Sequence, residues 1–276
     1  MILLFNENRC VDSDGRFASA KPSADPATKA PSAVNAPAFA RMLPLLLSMI
    51  AGSADVTSFL GFGVFSAHLT GNLVILTAHI VAREGDKACL ALSLPLFILV
   101  LGLTRLLVAG LETLNIGSLR PLLLLQFLML GGSFILCLPS DHNRAASARS
   151  LVVAGQLTVA AMAVQNALGQ LSSPKAPATA VMTTNLARFI MDAGGALLGH
   201  DPAEKAEARR RANDIWPVII GFTAGAGLGA ACFAAVGPKA LVLSAGLALL
   251  ALAMSLVAGS RSDSKDGLLS KIQERS

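Results

Sequence analysis

From Arg41 onward the chain alternates between apolar runs about twenty residues long and short breaks that carry charge, glycine or proline. A run of that length, coiled at about 1.5 Å per residue, matches the roughly 30 Å hydrocarbon core of a bilayer. The runs are apolar all round rather than striped, so they fit lipid better than the surface of a soluble bundle. The pattern predicts eight spans, over 42–62, 64–82, 89–111, 120–139, 150–170, 178–199, 215–236 and 239–258. Gly61-Phe62-Gly63 separates the first two and Gly237-Pro238 the last two, both turn signals between antiparallel helices. Gly52 and Asp55 interrupt the first span, and merging neighbours gives six or seven. The fold class is therefore all-α: a polytopic helical membrane protein with about eight transmembrane helices.

The second span contains a polar segment, 66-SAHLTGNLVILTAHI-80, and 179-TAVMTTNLARFIMDA-193 repeats it later. Thr70-Gly71-Asn72-Leu73 is echoed by Thr183-Thr184-Asn185-Leu186. Upstream, 51-AGSADVTSFLG-61 lies opposite 162-MAVQNALGQL-171, which places Asp55 against Asn166. Downstream, 94-LPLFILVLG-102 resembles 216-WPVIIGFTAG-225, with Pro95 opposite Pro217. The expectation is two four-helix repeats, 41–139 and 140–258. An even number of spans in each makes the repeats parallel, with a substrate site at their interface.

Charge sets the orientation. Lys and Arg collect in the N-terminal tail, in alternate connections (Arg83 and Lys87; Arg144 and Arg149; Lys205 and Arg209 to Arg211) and in the C-terminal tail. The other connections hold Arg120, Lys175 and Lys239. This asymmetry places both termini in the cytoplasm. It also explains the net charge of +5 without nucleic acid, since no basic stripe is interleaved with aromatics. Residues 1–40, rich in Ala, Pro and Ser, read as a disordered cytoplasmic tail, and 259–276 as a second tail. In 200-HDPAEKAEARRRANDIW-216, Asp201 can cap a helix and Pro202 suits its first position, predicting a short cytoplasmic helix over 201–213. That helix can serve as a solvated connector or as a surface for a partner or anionic lipid headgroups.

Four charges fall inside the spans: Asp55, Arg105, Arg188 and Asp192. Each costs about 2.5–3.5 kcal/mol at a helix centre unless it is paired or wetted. Arg188 and Asp192, four residues apart, are expected to pair on one helix, and Asp55 and Arg105 across helices. In the structural reading Arg188, Asp192 and Arg105 are ion-pair members that fix register. In the functional one a substrate site is lined by Asp55, His68, Thr70, Asn72, Gln165, Asn166, Asn185 and Arg188. Asp55 would be the coupling residue for an unknown small solute. Gly221, Gly225 and Gly229 recur every four residues, a close-packing face for another helix of the chain or for a second copy.

No GxSxG, HExxH or P-loop is present, the four cysteines are scattered, and no metal or cofactor set is apparent, so no enzyme activity is expected. The leading expectation is a small-solute secondary transporter or permease. The alternative is a non-transporting membrane scaffold or partner subunit that acts through its cytoplasmic loop.

The residues Ala51-Gly52-Ser53-Ala54-Asp55, Phe65 through Leu73, Gln165-Asn166 and Thr183-Thr184-Asn185-Leu186 resemble the YoaK-like family of bacterial membrane proteins, over roughly 41–258. The resemblance implies a multi-pass protein of the bacterial cytoplasmic membrane and no named substrate. Two positions depart from the family pattern. Ser53 and Ala54 stand where an aromatic residue is common, and Thr184 stands where a glycine is common.

Overall fold

A computed structural model of the chain describes residues 38–83, 88–138, 144–172 and 182–273. Residues 1–37 of the tail expected over 1–40, Lys87 and Lys175 lie outside those residues, and 38–40 open the first helix instead of ending the tail. The described residues form eight α-helices and no strand. They are α1 (Ala38–Phe62), α2 (Leu69–Ala82), α3 (Ala88–Thr113), α4 (Leu119–Leu136), α5 (Arg144–Ser172), α6 (Met182–Leu198), α7 (Pro202–Val236) and α8 (Leu241–Gln273). A single 3-10 turn, Gly237–Ala240, joins the last two.

Five stretches are long and apolar enough to cross a membrane: Met42–Phe62, Ala88–Thr113, Leu119–Leu136, Arg149–Gln170 and Pro202–Ala258. The last holds both α7 and α8 and, at 57 residues, far exceeds the ~20 that one crossing needs. Leu69–Ala82 is a shorter apolar helix. Large apolar side chains face outward, among them Val74, Val81, Leu106, Leu128 and Ile135. Water would not tolerate that much exposed hydrocarbon, whereas lipid does. The chain is a multi-pass membrane protein.

The helices pair across the two halves of the sequence. α1 packs on α7 and α8, α5 packs on α3 and α4, α2 lies on α3, α6 on α7, and α4 on α8. The α1–α7 pairing is the closest, because glycine removes the side chains between the two backbones. A Cβ at Gly221 would come within 2.7 Å of the Leu45 carbonyl, and one at Gly229 within 2.9 Å of Ser53 Cα. One at Gly225 would overlap the Met49 carbonyl. From α1, Gly52 returns the contact against Phe222 and Ala226. The sequence pattern of Gly221, Gly225 and Gly229 thus marks packing within the chain. Contacts climb both helices together, 45 with 221, 49 with 225 and 53 with 229, so α1 and α7 run parallel. The interior above and below this seam is filled by Ile50, Leu122, Leu130, Met162 and Leu168.

Three elements differ from the pattern read along the sequence. The second span begins at Leu69 rather than 64, because Gly63 ends α1 in the left-handed region (φ 68°) and the next five residues are not helical. The short helix over 201–213 is not separate, since α7 runs unbroken from Pro202 to Val236. Asp201 caps it through the Ala203 N–H, as expected, but Pro217 does not stop it. A proline inside a helix removes one hydrogen bond, and tertiary packing here carries the helix past it. Likewise α8 continues to Gln273, beyond the expected limit of 258.

Candidate functional site in the link between the first two helices

The non-helical link from Gly63 to His68 is the local feature that organises the polar residues. Backbone at membrane depth outside a helix leaves N–H and C=O groups that lipid cannot satisfy, so side chains must supply partners. Asn72, one turn into α2 and almost wholly buried, uses its carboxamide on Phe65 from both sides. Its Oδ1 accepts the Phe65 N–H at 2.7 Å, and its Nδ2 donates to the Phe65 carbonyl at 2.7 Å. The same Nδ2 lies 3.1 Å from Ser93 Oγ on α3, tying α2 to its neighbour. Gly71 leaves room for the Phe65 ring, which a Cβ there would approach to 3.1 Å.

Asp55 serves the other side of the link. Its Oδ1 accepts the Ala67 N–H at 2.8 Å and Ser66 Oγ at 3.4 Å. Its Oδ2 lies 2.6 Å from His68 Nδ1. The Asp55 side chain is 6% exposed and that of His68 34%, so one member of the pair is sealed and the other opens outward. The His68 ring meets Phe222 of α7 edge-on at 5.6 Å. Phe65 stacks on Phe59 at 4.4 Å between ring centres, closing the near side. The pair therefore sits between a helix of the first half and one of the second.

Along α1, Ser48, Asp55 and Ser58 recur at i, i+7 and i+10 and share a face. Ser48 Oγ and Ser58 Oγ are buried with no partner among the described residues, as is Thr57 Oγ1. Uncompensated buried polar atoms are rare in native interiors and call for water or a ligand. Sequence reading missed these hydroxyls because serine and threonine are ordinary in membrane helices; the spacing of Ser48, seven residues before Asp55, and of Ser58, three after it, was the available signal.

The remaining expected site residues fall elsewhere. Gln165 belongs to a buried layer deeper in the bundle, donating to the Leu47 carbonyl at 2.8 Å and accepting from Gln126 Nε2 at 2.6 Å. Gln126, in α4, was not anticipated. Asn166 accepts from Gln170 one turn along α5. Asn185 is buried in α6, as Asn72 is in α2. Thr70, Thr183, Thr184 and Arg188 are exposed. Asp192 pairs with Arg211 of α7 at 2.9 Å rather than with Arg188, because α6 lies against α7 and turns Asp192 toward it. Arg211 also reaches Glu207 at 3.6 Å. Arg105 is exposed, and the Asp55 partner is His68, which is nearer along the chain and already positioned by the link. Among the described residues no three His, Cys, Asp or Glu side chains form a group able to hold a metal ion.

A family described as a protein of unknown function (DUF1275) matches residues 43–254. No curated protein and no solved structure matches the chain.

Proposed function

Since this chain belongs to the DUF1275 family, a family without an assigned activity, we propose its function from the site itself: a small-solute secondary transporter or permease. The observation that carries this reading is the Asp55–His68 pair, held at 2.6 Å between α1 and the non-helical link that follows it and faced by Phe222 from the other half of the sequence. Discontinuous helices with ionisable groups at a junction between repeats are how many transporters build their sites. The exchange of partners between halves supports a two-repeat architecture. Replacing each helix by the one four places on converts α1–α7 into α5–α3, α1–α8 into α5–α4, and α2–α3 into α6–α7. The buried Asn72 and Asn185 correspond under the same exchange.

In this reading the solute reaches Asp55 from the side on which His68 opens outward, and Asp55 carries the coupling charge. Both termini are cytoplasmic, the membrane is a bacterial inner membrane as in the YoaK-like proteins, and no catalytic step is assigned. One observation favours a second reading, a non-transporting scaffold: all three hydrogen bonds of Asp55 and two of the three of Asn72 go to residues of their own link.

Asp55→Asn separates the two, because asparagine keeps the Oδ1 acceptor for Ala67 and removes the charge. Purified parent and variant would be screened by thermal shift against amino acids, sugars, organic acids and nucleosides. The transporter reading expects a solute that raises the parent Tm by several degrees and leaves the equally folded variant unmoved. A variant that responds to every solute as the parent does would overturn it.

A further inference from the structure

On the opposite side of α7 from the α1 seam, α6 and α7 enclose an apolar groove of about 420 Å³. It is lined by Leu186 and Phe189 from α6 and by Asn213, Trp216, Ile219 and Ile220 from α7. Leu186, Trp216 and Ile220 are each about half exposed, so the groove opens sideways toward lipid. Its floor is fixed by close packing just beyond one end, where a Cβ on Gly195 would touch Ala208 at 3.4 Å.

That same end is cationic. Arg209, Asn213, Trp216 and Ile220 follow at i, i+4, i+7 and i+11, so Arg209 projects from the groove face of α7 one turn past its polar end. Arg210 is beside it, and both are exposed. The nearby acids do not cancel Arg209: Asp192 and Glu207 are both engaged by Arg211, and Asp214, about 100° around the helix from Asn213, shares the face of Arg210 four residues before it. Trp216 sits where the charged segment of α7 gives way to the apolar one, the level at which indole rings favour the membrane–water interface.

We propose that this groove is a binding site for one anionic phospholipid. An acyl chain lies along Leu186, Phe189, Trp216 and Ile220, and the headgroup phosphate meets Arg209. A zwitterionic lipid fills the same groove but carries a cation toward Arg209. Each cationic side chain near a charged headgroup is worth about 1 kcal/mol, which corresponds to a preference of about fivefold for the anionic lipid.

Trp216 is the only tryptophan in the chain, so its fluorescence reports on this groove alone. The full-length protein would be placed in phosphatidylcholine bilayers, and acyl-brominated phosphatidylglycerol or brominated phosphatidylcholine titrated in. The expected result is quenching by the brominated anionic lipid at about one-fifth the mole fraction needed with the zwitterionic one, and loss of that preference in Arg209→Ala. Soluble glycerol phosphate in excess should not restore the fluorescence. Equal quenching by the two lipids in the parent would reduce the groove to ordinary lipid contact and overturn the proposal. A preference that survives in Arg209→Ala would overturn the assignment of the phosphate. Recovery of fluorescence with glycerol phosphate would make this a soluble-anion site instead. The parent comparison stands alone if the variant does not fold.

Discussion

Along α1, the contact with α7 and the contact with the α1–α2 link are held by opposite means. Against α7, the chain removes side chains, so that Gly221, Gly225 and Gly229 bring backbone onto Leu45, Met49 and Ser53. Around the link it adds them, so that Asp55 and Asn72 supply the partners that five non-helical residues would otherwise lack. The seam tolerates no addition and the link no subtraction. Both solve one problem, since lipid offers neither a hydrophobic drive for helices to associate nor water for an open backbone.

The largest effect should come from filling the seam. Gly225→Val puts a branched side chain where even a Cβ overlaps the Met49 carbonyl, and neither backbone can turn aside. The expected loss is about 3 kcal/mol or more, read as unfolding at lower denaturant in mild detergent or as loss of folded yield. Unchanged stability would mean that the two helices are not in backbone contact.

Subtraction at the link should come next. Asn72→Ala strips both the N–H and the C=O of Phe65 of their partner, at about 1–2 kcal/mol for each of these partly buried groups, so a loss of about 2–4 kcal/mol is expected. Thermal unfolding measures it. The smallest effect tests a residue that sequence reading placed beside these two. Thr70→Val, on the exposed face of α2, should change stability by no more than about 0.5 kcal/mol and leave any solute response intact.

Much of the helix order was legible in the sequence because apolar length is a strong signal: the spans at 89–111 and 120–139 match α3 and α4 within three residues, and 150–170 falls inside α5, which begins six residues earlier. The glycine spacing in α7 was equally plain, since close approach needs small residues at every fourth position. The link was not. Gly61-Phe62-Gly63 announced a turn, but nothing local said that Ser66 and His68 would stay out of the helix. That depends on Asp55 and Asn72 reaching back to the backbone from either side. The ion pairs failed for a related reason: spacing on one helix favoured Arg188 with Asp192, and the approach of α7 brought Arg211 closer instead. Groups read as one polar layer separate into the link and the Gln126–Gln165 layer because depth along a helix does not fix the face on which a side chain lies.

The parallel seam bears on how the protein is made. α1 leaves the ribosome early and α7 late; at roughly 5–20 residues per second, the first helix waits on the order of ten seconds for its glycine partner. During that interval its buried carboxylate would be alone in the membrane if its partner came from a distant helix. Instead every partner of Asp55 lies within 13 residues, in the stretch that emerges just behind it. The nascent chain can thus shelter its most costly charge with its own next turn, and α1 can be held in the bilayer before the rest of the bundle exists.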